Sequence, residues 1–87
     1  LNPDSLWYKA RKFLIERYNK YVDIATFSKL IVVKEDNINK KVTLKPISVF
    51  YDYYIRDRYM QALKAALQAQ NCSLELISWN DNYSIIN

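Results

Sequence analysis

The longest uninterrupted helical pattern in this chain begins just after Pro46 and runs for about two dozen residues without glycine or proline. Leu, Ala, Met, Gln, Lys and Arg dominate its second half, and these residues lose little on entering a helix. Ile55, Tyr59, Leu63, Ala66 and Leu67 recur at intervals of three and four, the spacing of one helix face. Ser48 is placed as an N-cap, with Asp52 in the first turn, where a negative charge suits the helix dipole. The pattern predicts a single helix from Val49 to Gln70, roughly 33 Å long. Its first two turns carry four aromatic residues, Phe50, Tyr51, Tyr53 and Tyr54.

The segments around it are shorter. Asn2-Pro3-Asp4 reads as a helix start, with Asn2 as the cap and Pro3 in the first turn. Leu6, Ala10, Phe13, Leu14, Tyr18 and Tyr21 then fall on one face, predicting an amphipathic helix over 3–19. Trp7 stands one position off that seam and is expected at the edge of the core or partly exposed. Asp23 is placed to cap a short helix through Lys29 with Ile24, Phe27 and Leu30 inward.

The β-branched run 30–34 reads as a strand, Asp36-Asn37-Ile38-Asn39 as a turn, and 41–45 as a half-buried strand, which together make a hairpin. Asn71 marks the end of the long helix. Residues 73–79 alternate, with Leu74 and Leu76 on one face, and predict a third strand; residues 80–87 read as the start of a linker or tail. The expected fold is α+β, in the order α-α-β-β-α-β, with a three-stranded sheet packed against helices over residues 3–79.

At 87 residues the chain suits one domain, and its 51% hydrophobic and 25% charged residues suit a globular one. Glycine and histidine are absent and cysteine occurs once, at Cys72. Glycine-rich phosphate loops, a histidine base or ligand and an internal disulfide are therefore excluded. Asp52 and Asp57 are five residues apart and project in different directions from a helix, so they make no carboxylate pair for acid–base work. Asp52 and Arg56 read as an ordinary i,i+4 surface pair. The expectation is a non-enzymatic domain without cofactor or metal, in the cytoplasm and without a membrane span.

The net charge is +4, and all 13 basic residues lie between Lys9 and Lys64. Lys45, Arg56 and Arg58 flank the aromatic cluster, and aromatics interleaved with cations suit an unpaired nucleic-acid strand, whose bases stack while its phosphates meet the cations.

Four pieces in order resemble the N-terminal domain (domain I) of the bacterial replication initiator DnaA. They are Ser5-Leu6-Trp7, the segment Thr26 to Ile31 around Phe27, Val42-Thr43-Leu44-Lys45-Pro46, and the stretch from Phe50 through Tyr54 and Ile55 to Tyr59. The departures are Leu30 and Tyr54 where the family has tryptophan, Ile47 where it has asparagine, one extra residue between Pro46 and Phe50, and Thr26 where some members carry an acid.

The resemblance implies a KH-like fold and a role in protein–protein contact: self-association through the first helix, recruitment of the replicative helicase or regulatory proteins, and in some members weak binding of single-stranded DNA. Carried over by position, Leu6 and Trp7 fall at the self-association site, Thr26 at the helicase contact that has lost its acid, and Phe50 at the helicase or single-strand contact. Tyr51, Tyr54, Lys45, Arg56 and Arg58 are the residues beside it. The alternative reading is a single-stranded nucleic-acid-binding accessory module using that same aromatic and basic surface. A KH-type nucleic-acid site is excluded, because it needs a glycine loop.

Overall fold

The computed structural model describes residues 4–18 and 25–81. The chain runs α1 (Leu6–Tyr18), helical residues 25–27, β1 (Leu30–Asp36), β2 (Lys41–Pro46), α2 (Val49–Arg58), α3 (Met60–Gln68) and β3 (Ser73–Leu76). The strands form one sheet in the order β1-β2-β3, with β1 antiparallel to β2 and β2 parallel to β3. The fold is α+β with a three-stranded sheet against helices, as expected. No helix among the described residues is long and apolar enough to cross a membrane.

Alternation along β2 sends Val42 and Leu44 into the core, where they meet Leu14, Phe27, Ile55, Leu63 and Leu67. Thr43 points to the opposite face and donates from Oγ1 to Glu75 Oε1 on β3 at 2.8 Å. β1 carries a bulge at Val33: Val32 is opposite Leu44, yet Lys34 is opposite Thr43. The extra residue shifts the phase of the strand. Glu35 thereby comes opposite Val42, on the helix side of the sheet.

From there the Glu35 carboxylate reaches the start of α1. It accepts the Leu6 N–H at 2.6 Å and the Ser5 hydroxyl, while Ser5 Oγ accepts the Tyr8 N–H at 3.2 Å. Helix donors without an intrahelical partner are satisfied this way. α1 thus starts at Leu6 with Ser5 as its cap, rather than at Pro3. The predicted cap Asn2, the Asp23 cap of the short second helix and residues 82–87 of the linker or tail lie outside the described residues.

The predicted helix over 49–70 is two helices. At Tyr59 the backbone leaves the helical basin (φ −121, ψ 3), although its N–H still bonds Ile55 O at 2.8 Å and its carbonyl accepts the Leu63 N–H at 2.9 Å. This break accompanies burial of the Tyr59 ring, edge-on to Phe27 at 5.3 Å and to Tyr54 at 5.6 Å.

After α3 the chain leaves through Asn71, in the left-handed region at φ 58. Cys72 N–H bonds Leu67 O and Asn71 N–H bonds Gln68 O, both at 2.9 Å. These are the paired bonds of a Schellman turn, with buried Cys72 and Leu67 as its apolar contact. β1 extends two residues beyond its predicted end. β3 stops at Leu76 rather than Trp79, because Ser78 and Trp79 turn toward α2.

Candidate interaction surface

Ser48 caps α2 as expected, its Oγ accepting the Tyr51 N–H at 3.3 Å and its carbonyl the Asp52 N–H at 3.0 Å. Ile55 and Asp52 then point inward and Tyr51 and Tyr54 lie half-buried at the flanks. With ~100° between successive residues, Val49, Phe50, Tyr53 and Asp57 remain on the outside. Phe50 is 62% exposed and Tyr53 74%.

These rings are not isolated. Phe50 stacks on Tyr54 with centroids 5.7 Å apart and meets Tyr51 edge-on at 5.0 Å. Tyr54 meets Tyr59, and Tyr59 meets Phe27 in the core. An unbroken chain of aromatic contacts therefore supports exposed Phe50 from beneath. Such pairs contribute ~0.5–1.5 kcal/mol each beyond burial. The Arg58 guanidinium lies 5.4 Å over the Tyr54 ring and the Lys29 ammonium 5.9 Å over Tyr51.

Beside this surface α2 carries an acid that the sequence reading misplaces. Asp52 is not a solvated partner of Arg56 but is 7% exposed. It accepts Arg56 Nε and, at Oδ2, the Trp79 N–H at 2.9 Å, with the Ser78 hydroxyl 3.5 Å away. Arg56 in turn donates from Nη2 to Leu76 O at 3.0 Å. The segment after β3 is thus fastened to α2. Burial, the largest single influence, pushes the Asp52 carboxyl up, but the Trp79 amide, Arg56 and Ser78 together outweigh it and hold it below its ordinary range. A groove of about 600 Å³ remains between α2 and this segment, walled by Val49, Tyr53 and Trp79, with Asp52 and Arg56 among its lining.

Of the residues expected to act together, Phe50, Tyr51, Tyr54 and Arg58 do share one surface. Lys45 does not join it: its ammonium donates to Asp81 O at 2.9 Å, from the strand position next to core-facing Leu44. Arg56 is engaged by Asp52 and Leu76. Thr26 is buried, next in sequence to buried Phe27.

Leu6 and Trp7 are also buried, Trp7 to 2% exposure. Trp7, Ala10 and Leu14 follow one another at three and four, so the tryptophan belongs to the core seam of α1 rather than its edge. The reading of Trp7 as partly exposed is overturned by this burial.

Sequence reasoning does not single out Val49, Ile47 or Trp79 as surface residues. Helical spacing requires that at least one of Tyr51, Tyr53 and Tyr54 be exposed without saying which, and Tyr53, about 160° from Ile55 around the helix, is the one. Trp79 was hidden because it was assigned to a strand. Among the described residues no group of acids and cysteine is arranged to hold a metal. In comparisons with protein-family models, curated proteins and solved structures, nothing matches this chain.

Proposed function

We propose that this chain is a non-enzymatic protein-interaction domain of a DnaA-like replication initiator, acting in the cytoplasm and recruiting the replicative helicase or a regulatory protein through the start of α2. The observation that carries the reading is the exposure of Phe50 and Tyr53 on a helix whose neighbouring rings are anchored in the core. Aromatic side chains held rigidly at a surface lose little entropy on docking and are enriched among residues that dominate interfaces. The resemblance to the initiator's first domain supports the choice of partner, and the KH-like description of the fold goes with it.

The test is calorimetric titration of the chain with the replicative helicase of the same cell. Binding is expected, and Phe50→Ala is expected to weaken it by ten-fold or more. Binding that is unchanged in both Phe50→Ala and Tyr53→Ala would overturn the assignment.

The stacked Phe50–Tyr54 pair with Arg58 above it favours a second reading, docking of single-stranded DNA. The engagement of Lys45 and Arg56 within the protein weighs against it, because they are the neighbouring cations a phosphate backbone would use. Salt-sensitive binding of an oligonucleotide, lost in Arg58→Ala, is what this reading requires.

A further inference from the structure

We infer that the outer face of α2 is the interface of a symmetric homodimer, in which two α2 helices pack antiparallel about Tyr53. The inference rests on reading this face as a contact surface, and names a second copy of the chain as an occupant.

Three observations support it. First, the exposed apolar residues are contiguous. Val49, Tyr53 and Trp79 wall one groove, and Phe50 and Tyr53 line the next along the same helix. From the area of such side chains, these four leave roughly 400 Å² of apolar surface uncovered. That is the size of the largest patch on a typical monomer, about 300–600 Å², which is often functional.

Second, the area suits a pair. Two copies would remove roughly 800 Å² of apolar surface, and a standard interface of about 1,200–2,000 Å² is somewhat more than half apolar. A two-fold interface needs only one self-complementary patch. The other exposed large apolar residues described, Ile31 on β1, Ile38 in the hairpin turn and Ile47 before the cap, lie off the helix and line neither groove.

Third, the rim tolerates its own image. Asp57 and Arg58, both largely exposed, put opposite charges side by side, with their nearest atoms 4.0 Å apart. A rim of one sign would repel its copy. With the axis at Tyr53, Val49 and Asp57 are each four residues away, about 6 Å along the helix. Asp57 of one copy therefore meets the first turn of the second copy's α2, where the helix dipole favours an acid. In its own helix Asp57 occupies the last turn, where the dipole disfavours it.

Sedimentation equilibrium of the chain alone, from micromolar to millimolar, tests this against Tyr53→Glu and Ile38→Glu. The wild type is expected to form a concentration-dependent dimer. Tyr53→Glu should raise the dissociation constant by ten-fold or more, and Ile38→Glu should leave it unchanged. Trp79 emission should shift to the blue as the dimer forms, against a constant contribution from buried Trp7. A monomer at every concentration, a dimer indifferent to Tyr53→Glu, or equal weakening by both variants overturns the inference. Those outcomes need no partner protein, so they leave helicase or regulator docking to its own titration.

Discussion

Glu35 and Leu6 are joined across 29 positions of sequence by a hydrogen bond of 2.6 Å from the Leu6 amide to the Glu35 carboxylate. The bulge at Val33 makes this possible, because in an unbulged strand of the same sequence Glu35, three residues after core-facing Val32, would face away from the helices. One acid on a strand thus helps close the first turn of α1 and ties that helix to the sheet. Glu35→Ala is expected to lower stability by about 1–3 kcal/mol, the cost of leaving helix donors unsatisfied. Glu35→Gln keeps one acceptor for the amide and should lose less. Urea denaturation of the two variants measures the difference. An alanine variant within about 0.5 kcal/mol of wild type, the range of ordinary surface changes, would show that water replaces the carboxylate at no cost.

Asp52 predicts a pH dependence. Its folded-state carboxyl is held below the ordinary value of 3.8, so the folded state favours its ionised form. It therefore contributes stability above the unfolded value, and that stability is lost as the pH falls through the depressed folded value. The acid limb of the stability–pH curve should flatten in Asp52→Asn. The same variant should lose about 1–3 kcal/mol at neutral pH, less than for a fully buried ion pair because Arg56 remains 42% exposed. An unchanged acid limb in the variant would remove Asp52 from the account.

Much of the secondary structure was legible because it rests on local rules. The hairpin announced itself by a β-branched run and a turn in which Asp36 accepts the Ile38 and Asn39 N–H groups. The cap at Ser48 was legible for the same reason. The break at Tyr59 was not, since neither glycine nor proline marks it and it accompanies contacts to Phe27, more than thirty residues away in the chain. The bulge at Val33 and the Asp52–Trp79 bond were hidden likewise: each is settled by what lies opposite in space. The surface was half legible. Helical spacing required that one of Tyr51, Tyr53 and Tyr54 be exposed, but which one depends on where α2 sits on the sheet.

Trp7 offers a sharp contrast between resemblance and packing. At 2% exposure it is among the largest side chains in the core, so Trp7→Ala should act on folding. The expected loss is about 3–5 kcal/mol, from the removed apolar contact and the cavity left behind. For a domain of this size that is a large share of total stability. Thermal denaturation followed by circular dichroism should show a much lower midpoint or no cooperative transition. A variant that keeps the wild-type midpoint would place Trp7 at the surface, and the self-association role that the resemblance implies for it would become available again.

Asn71 gives the last prediction, in the direction of greater stability. A left-handed residue ends α3 in a chain without glycine, and asparagine takes that conformation more easily than other residues with a side chain. Glycine takes it without the steric penalty of a Cβ. Asn71→Gly should therefore raise stability by up to about 1 kcal/mol, partly offset by the greater freedom of glycine in the unfolded chain. Asn71→Ala, with a Cβ and no polar group to bond locally, should lower it by about 1 kcal/mol. Because the Cys72 and Leu67 contact closes the same turn, both effects should be smaller in a Cys72→Ala background. Denaturation of the six chains, wild type, the three single variants and the two double variants, measures the coupling. A glycine variant less stable than wild type would mean that glycine's added freedom in the unfolded chain outweighs the strain removed at residue 71.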